Sequence, residues 1–161
     1  MTKWGIGPKF TVYAVIYCLI MYGLTIYLDP LLKITRTLNL SYPSLVMTGV
    51  ILIVLGIPFY LSSLISVMRA FKEGRLVTNG VYGMCRHPVY AAWVVFFVPG
   101  IALFMDSWAL LSAPFIMYLI ARVLVAEEDI YLKEIFGQEY VAYEQNVPAF
   151  LPYGWLKRKT T

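Results

Sequence analysis

Charge is what this sequence has least of. Only 14% of its 161 residues are charged and 60% are hydrophobic, whereas soluble domains carry roughly 25% charged and 45–50% apolar residues. The apolar residues also run in long blocks, so the solvent being matched is lipid, and a water-soluble domain is excluded. Histidine occurs once and cysteine twice. Cys18 falls in the middle of an apolar block and Cys85 in a polar loop, so their depths do not match for a disulfide. One histidine without a cysteine cluster leaves no metal-site pattern. Repeats, low-complexity tracts and a second domain are also missing, so residues 1–161 read as one domain, and nothing points to a nucleic acid.

What is present is four apolar blocks: Phe10–Leu28, Leu45–Met68, Val89–Met105 and Ser107–Ala126. A spanning helix needs about 20 apolar residues, within a range of roughly 17–25. The first three blocks hold no charge, and the fourth holds only Arg122, near enough to its end to snorkel. Tyr27-Leu28-Asp29-Pro30 is not a small-residue cleavage site, so the first block reads as a retained span rather than a signal peptide. The expected fold class is all-α: an integral membrane bundle of four transmembrane helices. Pro30, Ser41 and Pro43 suit turns in an external connection over 29–43. Pro58, Pro99 and Pro114 fall at membrane depth, where kinks are expected.

Lysine and arginine set the orientation. With four spans, the N-terminus, the 69–88 loop and the C-terminus share one side and collect all but Lys33 and Arg36 of the 13 basic residues. The positive-inside rule places that side in the cytoplasm. Lys157-Arg158-Lys159 would favour anionic membrane lipids there. The segment Glu127–Asn146 repeats Leu132, Phe136, Tyr140 and Tyr143 at helical spacing. That predicts an amphipathic cytoplasmic C-terminal helix, on the membrane surface or folded over the bundle, with Gly137 as a possible break.

The third and fourth blocks are separated by Asp106 alone, which predicts a tight helical hairpin. Pro88 opens the third block at a favoured first helical position. The fourth returns and finishes at Glu127-Glu128, a helix C-terminus where acids are disfavoured. Two antiparallel rods of about 26–30 Å then bring Arg86-His87 and Glu127-Glu128 to one depth. Arg86 and His87 at a helix N-terminus suit an anion, although an ordinary interfacial basic pair is the commoner origin of such residues. Tyr90 alone reads as a membrane-belt residue. The acids also have ordinary partners within reach: Glu127 with Lys133 or Arg86, and Asp129 with Lys133. A zwitterion bearing a sulfonium would use the whole set. Its carboxylate suits Arg86 and His87, its ammonium suits Glu128 or Glu127, and its sulfonium suits the ring faces of Tyr82 or Tyr90.

The ordered segments Leu76-Val77-Thr78-Asn79-Gly80-Val81-Tyr82, Arg86-His87-Pro88-Val89-Tyr90, Glu127-Glu128, Phe136-Gly137-Gln138-Glu139-Tyr140, Val147-Pro148 and Leu151-Pro152 resemble the isoprenylcysteine carboxyl methyltransferase and phospholipid methyltransferase superfamily. The resemblance covers 74–153, leaving 1–73 as two N-terminal spans. It implies a helical membrane enzyme using S-adenosyl-L-methionine, with a cofactor-binding half over 74–153. The cofactor-binding positions it implies are Leu76, Val77, Tyr82, His87, Pro88, Val89, Tyr90 and Glu128. Its acceptor would be lipophilic and enter from the membrane: a prenylcysteine-like carboxylate, a lipid amine or a thiol. This chain has Ala91-Ala92 where many relatives carry glycine. It has Leu124-Val125 where carboxyl methyltransferases carry an arginine for the substrate carboxylate, so Arg122 is the nearest substrate-binding candidate.

Methyl transfer from a sulfonium disperses charge, and the protein contributes mainly positioning and exclusion of water. Arg86 would orient cofactor or acceptor, and Glu127 would serve as base for an acceptor that must lose a proton. The alternatives are a sterol-type NADPH-dependent reductase, whose relatives share an Arg-His-x-x-Tyr region but have more spans, and a non-catalytic four-helix membrane protein.

Overall fold

The computed structural model describes residues 7–32, 41–106 and 108–150, and among them all regular structure is helical. Helix α1 covers Gly7–Leu32 and α2 covers Tyr42–Glu73. A 3-10 turn at Gly80–Gly83 precedes one long rod, Pro88–Phe104, made of α3 (Pro88–Ala92), a π segment (Trp93–Phe97) and α4 (Val98–Phe104). Then come α5 (Trp108–Leu111), α6 (Ala113–Phe136) and α7 (Gln138–Asn146). Lys3, Lys33, Arg36, Ser107, Leu151-Pro152 and Lys157-Arg158-Lys159 lie outside the described residues.

Helix α2 is, among the described residues, the one long and apolar enough to cross a membrane by itself; Val12–Leu28 and Pro88–Phe104 are shorter apolar stretches. Large apolar side chains stand exposed along α1, α2 and α6, such as Leu19, Met47, Val54 and Phe115. A soluble monomer rarely exposes so continuous an apolar surface, and lipid is the solvent that matches it.

The rods lie side by side in the order α2, α3–α4, α6, α1. Glycine sets the first contact. A Cβ on Gly49 would stand 2.8 Å from the Gly100 carbonyl oxygen, and one on Gly56 would stand 2.7 Å from the Phe96 Cβ. Helices approach this closely only where side chains are absent. The π segment follows from Pro99, which has no N–H for the Val95 carbonyl. Val98 instead donates to Trp93, five residues back, and π turns of this kind collect near functional sites. Pro58, by contrast, sits inside an unbroken α2.

Two expectations change. Helix α1 continues through Asp29-Pro30 to Leu32, so Pro30 is not a turn residue; near a helix end its missing N–H leaves only one carbonyl without its donor. The fourth rod does not finish at Glu127-Glu128 but runs on to Phe136. No glycine or proline intervenes before Gly137, whose φ of +54° ends the helix. The two acids therefore sit within a helix and not at its C-terminus. The segment over 127–146 is divided there, its first part continuing α6 and the rest forming α7. The repeating Leu132, Phe136, Tyr140 and Tyr143 pack with Leu76 of the loop after α2 and with Val147.

Candidate functional site

The loop after α2 is shaped by two glycines with positive φ. Gly74 (+63°) caps α2, and Gly80 (+61°) makes the turn that Asn79-Gly80 predicts. Between them Val77 is buried with Ala70 and Tyr82. The chain then passes Cys85, fully buried, where burial pushes the thiol up to about 12 despite a backbone hydrogen bond with His87. That thiol is an inert core group rather than a nucleophile.

Arg86 and His87 pair through their backbone with the segment beyond α7. Their N–H groups donate to the carbonyls of Pro148 (2.8 Å) and Ala149 (2.9 Å). The Val147-Pro148 motif is therefore a strap that fixes the Arg-His-Pro motif from outside. Pro88 occupies the first helical turn of α3, as expected, and is fully buried.

Beside this loop, α6 presents its acids. The chain's one histidine, buried, meets Asp129: His87 Nε2 lies 2.9 Å from Asp129 Oδ1. Arg86 Nη1 reaches Asp129 Oδ2 and Glu144 Oε1, both at 3.2 Å, and Tyr140 donates its hydroxyl to Asp129 Oδ1. The Arg86 guanidinium also lies over the Tyr140 ring, 5.9 Å from its centroid. Lys133 completes the cluster by pairing with Glu144 at 2.7 Å. Burial raises the Asp129 carboxyl, but the His87 and Tyr140 hydrogen bonds and the Arg86 charge outweigh it and hold the group below the usual carboxylate range.

Glu128 faces a different neighbour. Tyr90 donates its hydroxyl to Glu128 Oε2 at 3.3 Å. Burial raises the Glu128 carboxyl above its ordinary value, against the lowering influence of His87 and Tyr90. Tyr82 is raised as well, by burial first and by the Glu128 charge second. Tyr90 packs against Phe10 of α1, edge to face at 5.3 Å, and its ring lies 6.1 Å from that of His87.

The loop and the two helices thus bring Tyr82, His87, Tyr90 and Glu128 together, with Pro88 buried in the same segment. Leu76 packs under Tyr140 and Tyr143 at its edge, and Val89 is half-buried beside Pro88. Glu127 is exposed. Arg122 is exposed too, hydrogen-bonded to Tyr118 of its own helix at 3.4 Å. Arg86 is engaged by two carboxylates, yet its Nε is buried with no partner. Sequence reasoning missed Asp129, Tyr140 and Glu144 as partners of the Arg-His pair, having matched Asp129 only with Lys133. The signal was present: Asp129 continues the buried stripe Ala113, Met117, Ala121, Val125 at four-residue steps.

A cavity of about 380 Å³ opens between α1 and the α3–α4 rod over the start of α6. Phe10, Ala14 and Cys18 line one wall, Val98 and Ala102 the other, and Met117 the floor. Phe10 therefore touches both the cavity and Tyr90.

Comparison with known proteins adds three findings. The sequence model of the isoprenylcysteine carboxyl methyltransferase (ICMT) family matches residues 45–134. Protein-S-isoprenylcysteine O-methyltransferase B of Arabidopsis thaliana is 27% identical over 114 residues, 65% of this chain and 58% of that protein. The Mus musculus protein-S-isoprenylcysteine O-methyltransferase is 33% identical over 78 residues, 48% of this chain and 28% of that protein. The chain thus spans about half, or less, of the length of these curated relatives. In fold it is similar to the eukaryotic intramembrane Ras methyltransferase ICMT, with a TM-score of 0.63, 21% identity, 91% of this chain and 53% of that one covered.

Proposed function

The chain belongs to the isoprenylcysteine carboxyl methyltransferase family, as the match over 45–134 shows, and from that premise we propose that it transfers a methyl group from S-adenosyl-L-methionine to a lipophilic acceptor at the cytoplasmic face of a membrane. The observation that carries the reading is the juxtaposition of Tyr90 and Glu128, 38 residues apart and joined at 3.3 Å, within motifs that the family match spans. The same match supports a methyltransferase over a nicotinamide-dependent reductase.

The residues present fit the cofactor. Glu128 is a desolvated carboxylate, and a ligand ammonium would offset its burial. Arg86 Nε is a buried donor without an acceptor, an arrangement that a carboxylate or carbonyl oxygen would complete. Tyr82 and Tyr90 offer aromatic faces to a sulfonium. When bound, S-adenosyl-L-methionine supplies an electrophilic methyl group.

This chain's own residues supply placement. The Pro148-Ala149 strap and the Asp129 cluster hold Arg86 and His87, while Leu76 and Val77 anchor the preceding loop. The packed tyrosines around Cys85 exclude water, which strengthens every charge interaction within the cleft. The apolar cavity beside Phe10 suits the hydrocarbon part of an acceptor, delivered from lipid. The relatives' names make S-isoprenylcysteine the substrate of those proteins, and we carry a prenylcysteine-like carboxylate to this chain as the leading acceptor, with Arg122 as the nearest arginine on α6. A carboxylate needs no base; Glu127 serves only where an amine or thiol must lose a proton. Four spans with both termini and the cleft cytoplasmic complete the proposal, along with α7 as the amphipathic cover.

Calorimetry in detergent tests it. S-adenosylhomocysteine binds saturably to the wild type and not to folded His87→Ala or Glu128→Ala. Absence of binding by folded wild-type protein overturns the reading. A labelled-methyl screen over prenylcysteines, lipid amines and thiols then fixes the acceptor, and a reporter fused at residue 80 that maps outside the cytoplasm overturns the topology.

A further inference from the structure

Three consecutive acids on one helix point in three directions, because successive residues are turned by about 100°. Glu127 faces outward, Glu128 meets Tyr90, and Asp129 meets the Arg86-His87 pair. A single motif therefore holds acids with separate tasks. Asp129 contacts both basic residues of the Arg-His-Pro motif.

We infer that Asp129 is the positioning residue of the cleft: its carboxylate takes the Nε2 proton of His87, fixes that imidazole as the tautomer with an unprotonated Nδ1, and ties it to Arg86 so that the His-Pro-x-Tyr segment stays in register with Glu128. The inference rests on the cofactor reading above for its functional consequence, but the tautomer itself does not depend on that reading.

Geometry carries the argument. An ionised carboxylate is acceptor-only, so a 2.9 Å contact with Nε2 requires the proton to sit on that nitrogen. In a neutral imidazole the other nitrogen is then an acceptor. Asp129 Oδ1 also receives the Tyr140 hydroxyl, and Oδ2 receives Arg86 Nη1. Both oxygens are thus occupied, and the carboxylate cannot rotate without breaking a bond. The charges around it come from every packed element: Arg86 and His87 from the loop, Tyr140 and Glu144 from α7, and Glu128 and Lys133 from α6. Arg86 and Lys133 balance Asp129 and Glu144, which leaves the Glu128 carboxylate on the Tyr90 side of the ring as the unmatched charge.

Because His87 is the single histidine, protein labelled with ¹⁵N-histidine gives one imidazole, and its two nitrogen shifts identify the tautomer directly. At pH 8 in detergent, the wild type shows a protonated Nε2 and an unprotonated Nδ1. Asp129→Asn keeps the shape and removes the charge; it shows a mixture of tautomers and binds S-adenosylhomocysteine about tenfold more weakly, the worth of one hydrogen bond to a charged group. Glu128→Gln weakens the same binding but leaves the tautomer as in the wild type.

A wild-type imidazole carrying its proton on Nδ1, or exchanging between forms, overturns the assignment even where Asp129→Asn does not fold. So does folded Asp129→Asn with the wild-type tautomer, whatever its affinity. Failure of the wild type to bind S-adenosylhomocysteine overturns the cofactor reading instead, and the nitrogen shifts still decide the role of Asp129 in setting the ring.

Discussion

The Tyr143 hydroxyl donates to the Tyr82 carbonyl at 2.6 Å, both groups buried and 61 residues apart. This bond fastens α7 to the loop that carries Tyr82. Burial also raises the Tyr143 hydroxyl's pKa, so it stays a donor throughout the physiological range. Removing it leaves a buried carbonyl unsatisfied, at a cost of about 1–3 kcal/mol. Tyr143→Phe is expected to lower the unfolding midpoint in detergent and to weaken S-adenosylhomocysteine binding together. A melting curve and a titration on the same preparation check this; wild-type affinity in the variant would mean that α7 does not order the loop.

Glu128 destabilises the fold that it serves. Its folded pKa is raised above the ordinary 4.5, chiefly by burial, so at low pH both states are protonated and the burial of charge costs nothing. As pH rises past 4.5 the unfolded chain releases its proton first. The native state loses stability through that window, and the full cost is present above the folded value. Glu128→Gln is therefore expected to melt higher than the wild type at pH 8, with the gap closing near pH 4, while binding the cofactor product more weakly. Unfolding midpoints across pH 4–8 decide it, and a variant less stable than the wild type at pH 8 would contradict the burial argument.

Asp129 carries the opposite sign. Its folded pKa lies below the ordinary 3.8 because the His87 and Tyr140 hydrogen bonds and the Arg86 charge outweigh burial. It contributes stability above pH 3.8 that is lost as pH falls through the depressed value. The wild type is expected to lose stability on acidification below pH 4 more steeply than Asp129→Asn, in a series of unfolding midpoints extended below pH 4.

The glycines of the α2–α4 contact divide by what surrounds them. A methyl group on Gly49 would press on the Gly100 carbonyl oxygen at 2.8 Å, a backbone atom that cannot swing away, whereas Gly23 has nothing within 4 Å. Gly49→Ala is expected to destabilise by about 1–3 kcal/mol through overpacking. Gly23→Ala, in the open stretch of α1, is expected to be neutral or stabilising by up to about 1 kcal/mol from helix propensity. Thermal unfolding of the two variants side by side checks the pair.

Much of this arrangement was legible in the chain. The apolar blocks mark the rods because lipid tolerates only apolar faces, and Asp106 between two of them forces the hairpin that joins His87 to the acids. The Asn79-Gly80 turn was legible for a local reason, the positive φ that glycine accepts. The end of α6 was not, because hydropathy falls at Glu127 while the backbone has no reason to stop before Gly137. A change of solvent was read as a change of element. The partners of Arg86 escaped for a different reason: Tyr140 and Glu144 reach it from α7 through a turn at Gly137 whose direction no periodicity specifies. Phe10 behind Tyr90 is likewise a contact between distant helices, visible only once α1 is packed against α6.

The apolar cavity gives the last prediction. Cys18 lines it from α1 and is only half-buried, so a larger side chain there fills open space rather than the packed core. The proposed cofactor groups Tyr90 and Glu128 lie beyond Phe10, at one end of the cavity. Cys18→Phe is therefore expected to raise KM for acceptors with long hydrocarbon chains while leaving S-adenosylhomocysteine affinity at the wild-type value. One to two displaced methylene groups at about 0.8 kcal/mol each correspond to a loss of roughly four- to fifteenfold in kcat/KM. A shortened acceptor that does not reach Cys18 should show no loss. Initial rates with a series of acceptors of graded chain length measure this, and equal losses for short and long chains would show that the hydrocarbon lies elsewhere on the protein.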